Sequence, residues 1–307
     1  MEKGCFLCPR GCGAARETGA LGFCGTGVEI RVARAALHPF EEPPISGERG
    51  SGTVFFTGCS LRCIFCQNSA IRAPETGKIL RAKELAALFL FLQEKGAENI
   101  NLVTPTHYAD GVAAALRLAK PQLHIPVVYN CGGYERVETL RLLDGLVDVY
   151  LPDFKYVSSE LSAAYSAAPD YAEVATAALA EMVAQVGAVQ FDTRGMLLRG
   201  VLVRHLVLPG SRADSLAVLE RIADTVPVAD IRLSLMRQYT PDFAPSDAPR
   251  CLLRRVTSFE YDSVMARAEA LGFEGFYQGK EAADAAFTPD FTESDLLREF
   301  CINPATV

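Results

Sequence analysis

The chain has 307 residues, half of them apolar and 22% charged, enough to bury a core and unlike a disordered or fibrous composition. Its net charge is -7 with no lysine- or arginine-rich block, so a nucleic-acid partner is not expected. The apolar run LAALFLFL at 85–92 is too short to span a bilayer, and the N-terminus MEKGCFLCPR lacks a signal peptide's apolar stretch; a cytoplasmic protein without a membrane partner is expected.

A reducing cytosol directs cysteines to metal binding or catalysis more than to disulfides. Seven of the ten lie in the first 66 residues, at Cys5, Cys8, Cys12, Cys24, Cys59, Cys63 and Cys66. The first four form the spacing C-x2-C-x3-C-x11-C in a segment poor in apolar residues, which would need a metal to become ordered. Three clustered thiols with a Cys-Pro dipeptide suit an auxiliary iron–sulfur cluster. Four thiolates also satisfy structural zinc, and redox thiols without metal are the third reading. Residues 1–50 are read as a separate cysteine-rich segment and linker, ending in EEPPISGERGSG at 41–52, which reads as a loop.

From residue 50 onward, β-rich runs alternate with amphipathic ones, the pattern of parallel strands joined by crossover helices. Strands are predicted at 52–58, 99–105, 126–130, 147–154, 201–209 and 230–236. Leu85, Leu88, Phe89 and Leu92 mark one helix face; Leu216, Leu219, Ile222 and Ala223 mark another. Thr257 and Glu260 form a capping box before the last long helix, with Gly272 after it. Six β/α units are too few for an eight-stranded barrel, so an α/β fold is predicted: a partial (β/α)6 barrel over 51–280, open on one side, with its chemistry at the C-terminal strand ends. Residues 281–307 are read as a C-terminal extension.

The first of these strands ends in GCSLRCIFCQNSAI, which puts Cys59, Cys63 and Cys66 on one loop. Soft thiolates select zinc or an iron–sulfur cluster, and three ligands leave one metal position open to another molecule. The competing reading is a zinc loop closed by a distant ligand such as Cys131 or a histidine.

The C-x3-C-x2-C spacing after the first strand of a six-unit barrel resembles the radical S-adenosylmethionine (radical SAM) superfamily, with Phe65 where that family places an aromatic against adenine. The resemblance implies a [4Fe–4S] cluster on Cys59, Cys63 and Cys66, whose open iron is chelated by S-adenosylmethionine. Reduction then releases a 5′-deoxyadenosyl radical that takes hydrogen from a substrate. Within the superfamily, CQN and DFK are similar to the glycyl-radical-enzyme activating enzymes. That likeness implies contacts to the cofactor from Asn68 and, at the fourth strand end, Asp153 and Lys155. The YNCGGYE turn resembles one in the same subgroup, which implies that Asn130 and Cys131 reach the cofactor or a monovalent cation. In VRHLVLPG side chains alternate, and the likeness turns Arg204 inward and His205 outward. The chain departs from the superfamily after the second strand, where VTPTHYADG puts Thr104, Thr106 and His107 in place of a glycine-rich stretch that binds the methionyl amine.

CxLCPRxC, EEPPISG, TPTHY and PDFKY together resemble a radical SAM branch related to the pyruvate formate-lyase activating enzyme. This resemblance implies the chemistry and a reduced flavodoxin- or ferredoxin-type electron donor, but not the substrate, for which a protein partner that receives a glycyl radical is the most familiar version. A small molecule or peptide substrate is the alternative. So is a non-catalytic iron–sulfur protein that relays electrons.

Overall fold

Runs of Val, Ile, Leu, Phe and Tyr too short for a helix, bounded by Gly, Pro or Asn, build the strands of this protein. A computed structural model describes residues 4–73, 75–283, 291 and 296–302. Its strands are β1 (Arg31–His38), β2 (Ser51–Phe56), β3 (Lys78–Ile79), β4 (Ile100–Val103), β5 (Val127–Cys131), β6 (Val149–Pro152), β7 (Gln190–Phe191), β8 (Leu197–Leu206), β9 (Ile231–Met236) and β10 (Gly275–Tyr277). The sheet order is β10-β9-β8-β6-β5-β4-β2-β1-β3, with β7 hairpinned onto β8.

All neighbours from β2 through β10 on that path are parallel. No pairing among the described residues joins β10 to β1 or β3, so the barrel stays open. The six predicted strands are present as β2, β4, β5, β6, β8 and β9. Residues before 50 are not detached from them. β1 lies antiparallel against β2, with Ala35 opposite Val54 and His38 opposite Ser51.

Period-2 alternation divides each strand between two layers. Outward residues such as Val54, Leu102, Tyr129, Tyr150, Val203 and Leu233 pack under the helices in the main core. Leu85, Leu88, Phe89 and Leu92 of the helix Ala82–Glu94 have no exposed surface. On the helix Arg212–Thr225, Leu219 and Ile222 are fully buried, while Leu216 and Ala223 pack at the core's margin. The Thr257–Glu260 capping box closes as predicted: Thr257 Oγ1 accepts from Glu260 N at 3.2 Å, and Thr257 N donates to Glu260 Oε2 at 2.9 Å. Gly272 then leaves the helix at φ 80°.

The concave face holds a smaller core of Val128, Val149, Leu151, Leu197 and Leu202 around Ile45, which is fully buried. EEPPISG is therefore more than a connecting loop: Pro43–Ser46 form one helical turn that plugs the barrel interior. Asn99 donates to Ile45 O at 2.6 Å, and Arg49 and Arg194 clasp Glu98 below it. Most of the predicted extension at 281–307 lies outside the described residues. Its helix Leu296–Ile302 packs Phe300 on Phe91, with ring centroids 5.7 Å apart.

Candidate active site

β2 ends at Phe56, and Thr57 and Gly58 lead into the cysteine loop. Gly58 has φ 88°, and a Cβ there would lie 2.5 Å from Thr26 Cγ2 and 2.8 Å from Cys24 O. Only glycine lets the N-terminal segment come this close. Cys59 N donates to Cys24 O at 3.2 Å, so the two cysteine sets meet along their backbones.

The loop is stapled to the helix Ser159–Ser166: Arg62 N donates to Ser166 O at 3.2 Å and Ile64 N to Tyr165 O at 2.9 Å. Leu61 N donates to Cys59 Sγ at 3.3 Å, and Cys63 Sγ lies 3.0 Å from Ser166 Oγ. Burial pushes the Cys59 thiol up to about 12, with Cys63 and Cys66 adding to the rise, and pushes Cys66 up to about 11 with Cys63. Thiols raised in this way hold their protons in water and give them up to a metal. Among the described residues, no three His, Cys, Asp or Glu side chains already stand in a ligating arrangement. The thiols share one loop and each other's field.

Beside this loop the concave strands carry a charged network. Arg204 donates from Nε to Asp153 Oδ1 at 3.0 Å, from Nη2 to Asn130 Oδ1 at 2.6 Å and from Nη1 to Glu41 Oε2 at 3.3 Å. Lys155 Nζ closes on Asp153 Oδ2 at 2.5 Å. Glu41 Oε1 also accepts from Asn101 and Asn130, each at 3.2 Å. Burial acts to raise the Asp153 carboxyl, but Lys155 and Arg204 outweigh it and hold it below its ordinary range. Burial raises the neighbouring Glu42 carboxyl, with Arg204 opposing and Glu41 adding to the rise.

Arg204, Asn130, Asn68 and Gln67 line one cavity of about 440 Å3, with Glu41 and Glu42 from the plug, Ser234 from β9 and Gln278 after β10. Asp153 and Lys155 sit behind Arg204. Phe65 lies off the cavity wall, edge-on to Tyr239 and Tyr165 at 5.8 and 6.4 Å. Thr104 closes β4 at φ 60°, a rare conformation for a β-branched residue, with its N–H on Asn130 O at 2.8 Å. Cys131 is buried in the outer core, while His205 faces outward, its Nδ1 2.7 Å from Phe154 O. Buried polar atoms without partners gather at the cavity: Glu42 Oε2, Asn68 Oδ1 and Thr240 Oγ1.

The N-terminal cysteines are drawn onto the same end of the barrel. Arg10 donates to Ser60 O at 2.8 Å and Ser166 O at 3.2 Å, and its guanidinium lies 4.1 Å from the Phe23 ring centroid. Arg136 holds Phe6 O at 3.0 Å and Thr139 holds Leu7 O at 2.8 Å. Cys12 and Cys24 flank Gly22, whose Cβ would sit 3.5 and 3.2 Å from their sulfurs. Arg16 reaches Cys5 Sγ at 3.5 Å, and Cys8 is pushed up to about 12 by burial, with Cys24 and Cys5 contributing.

Sequence reasoning missed Glu41 and Glu42. Paired acids before Pro-Pro look like a solvated loop, and the one signal, an inward Arg204, stands 163 residues away.

Residues 53–187 match the family description "Radical SAM superfamily", and a domain of that family implies a [4Fe–4S] cluster and S-adenosylmethionine. Over 288 residues the chain is 28% identical to an uncharacterized protein of Methanocaldococcus jannaschii, covering 90% of this chain and 77% of that one. A radical SAM methyltransferase from Sphaerobacter thermophilus shares 15% identity at a TM-score of 0.49, covering 76% of this chain and 69% of its own. Streptococcus suis SuiB, solved with its precursor peptide SuiA, shares 11% identity at a TM-score of 0.49, covering 72% and 46%. The residues present fit both groups: three half-buried thiols on one loop suit the cluster, and the adjoining cavity offers unpartnered acceptors to a cofactor. No described helix is long and apolar enough to cross a membrane.

Proposed function

We propose that this chain, matched to the radical SAM superfamily through residues 53–187, is an enzyme that takes a hydrogen atom from a substrate held in the barrel cavity. The observation that carries the reading is the three-cysteine loop at the C-terminal end of β2, beside a cavity with unpartnered polar atoms. When bound, the cluster and S-adenosylmethionine supply reductive cleavage of the sulfonium to a 5′-deoxyadenosyl radical.

Cys59, Cys63 and Cys66 hold the cluster and leave one iron open. Asn68 presents its free Oδ1 as an acceptor for the cofactor's N–H or O–H groups. Lys155, paired with Asp153, would be the charge partner of a carboxylate-bearing cofactor, and Arg204, whose donors go to Asp153, Asn130 and Glu41, would fix the wall beside it. Asn130 and the Thr104 turn shape the adjoining wall, and Phe65 packs the loop from behind. The apolar cluster around Ile45 fills the barrel interior and would keep water from entering the cavity by that side.

Cys5, Cys8, Cys12 and Cys24 hold an auxiliary iron–sulfur cluster or a zinc ion that orders their segment. Their contact with Cys59 through Cys24 favours a role close to the first cluster. Electrons come from a reduced flavodoxin- or ferredoxin-type donor in the cytoplasm, and a protein partner that receives a glycyl radical is the finer form of this reading. Anaerobic reconstitution followed by dithionite and S-adenosylmethionine tests it: 5′-deoxyadenosine should accumulate. Its absence from cluster-replete protein would leave the electron-relay reading in its place.

A further inference from the structure

We propose that the barrel cavity takes a substrate bearing a cationic nitrogen, such as a protonated amine, and that Glu42 is the carboxylate that receives it. The inference rests on the radical-enzyme reading only in calling the bound molecule the substrate.

Glu42 lines the cavity that Asn68 and Arg204 also line, and its Oε2 is buried without a hydrogen-bond partner. Thr240, 4% exposed, presents an unpartnered Oγ1 to the same space. Both atoms accept a hydrogen bond, and the ionised Glu42 oxygen can do nothing else. Buried acceptors left unpaired are costly, and a ligand rich in N–H donors satisfies them together.

Charge selects the same ligand. Asp153 is shared by Lys155 and Arg204, and Glu41 is taken by Arg204, Asn101 and Asn130. Arg204 spends its donors on Asp153, Asn130 and Glu41. Glu42 is thus the third carboxylate around two cations and has no hydrogen-bonded cation of its own. His38, on the same wall, is lowered to about 4 by burial and Arg34, so it is neutral at pH 7 and does not supply the missing charge. A carboxylate substrate would worsen the imbalance in a half-buried site, whereas an ammonium group closes it. Phe40, Phe243, Phe276 and Tyr277 supply aromatic surface for the apolar stem and for the cation itself.

The test is calorimetric titration of the reconstituted holoprotein with n-butylammonium, butyrate and 1-butanol, with and without S-adenosylmethionine. Butylammonium should bind in preference to both analogues, and Glu42→Gln should weaken it by about tenfold or more, the loss expected for a charge-assisted hydrogen bond. Glu42→Asp, which keeps the charge, should retain the preference at reduced affinity, and it serves if the Gln variant does not fold. Equal binding of butyrate, an unchanged amine affinity in Glu42→Gln, or complete displacement of the amine by S-adenosylmethionine would each overturn the proposal. Failure to cleave S-adenosylmethionine would instead count against the radical reading and leave these titrations standing.

Discussion

Replacing Arg204 by Met removes a guanidinium that ties β8 to the end of β6, to β5 and to the plug while keeping most of its volume. The side chains it joins are shielded, with 15% of Arg204, 15% of Asp153 and 10% of Glu41 exposed. Asp153 would keep only Lys155, and Glu41 only two amide donors. Removing one partner of a buried pair costs about 3–5 kcal/mol because the other charge stays buried, whereas an exposed pair is worth less than about 1 kcal/mol. At this burial the expected loss is about 3 kcal/mol. Urea unfolding of the reconstituted protein measures it, with circular dichroism and cluster absorbance followed together so that coincident curves establish a single transition. Changing Glu41 to Gln in the same chain should recover part of the loss, leaving the double variant at least about 1 kcal/mol better than the sum of the singles. A loss below about 1 kcal/mol with additive singles would refute the network as a buried, coupled unit.

Lys155→Ala should weaken S-adenosylmethionine binding while sparing cluster absorbance, since the lysine is paired with Asp153 and is not one of the proposed cluster ligands. Loss of the cluster with unchanged cofactor affinity would contradict that role. A quadruple alanine variant at Cys5, Cys8, Cys12 and Cys24 should keep the barrel folded and keep cleavage of S-adenosylmethionine by dithionite. By metal analysis it should lose about four irons, or about one zinc, relative to the parent. Equal metal content would make these cysteines redox thiols. Between pH 4.5 and about 7, Glu135 should subtract stability as pH rises, against the opposite contribution of His38, His107 and His205, which burial lowers to about 4. Burial holds the Glu135 carboxyl up to about 7 from its ordinary 4.5, so at this group the folded state binds more protons than the unfolded one in that window. Glu135→Gln should make stability rise more steeply with pH in that window than in the parent, as read by urea midpoints at several pH values, and an unchanged slope would place the titration elsewhere.

The barrel was legible in the sequence because each central strand is buried on both faces and so reads as a β-branched or aromatic run. The cysteine loop was legible for a similar reason, since its spacing sits directly behind one such run. β1 was not: Arg31, Arg34 and His38 break its apolar pattern, and it becomes a strand through the edge that β2 offers. β10 spans only Gly275 to Tyr277 and is held by β9. Glu41 and Glu42 were the deepest omission. Local composition sends two acids before two prolines into solvent, and only Arg204, Asn101 and Asn130, all distant in sequence, bring Glu41 inside.

The central claim is that Cys59, Cys63 and Cys66 hold a cluster with one iron free to take S-adenosylmethionine. Electron paramagnetic resonance of the dithionite-reduced, reconstituted protein tests it most directly. The spectrum should be that of a reduced [4Fe–4S] cluster, should shift when S-adenosylmethionine is added, and should lose that responsive signal in Cys59→Ala, Cys63→Ala and Cys66→Ala alike. A spectrum indifferent to S-adenosylmethionine, or a responsive signal that survives any one of these substitutions, would contradict it.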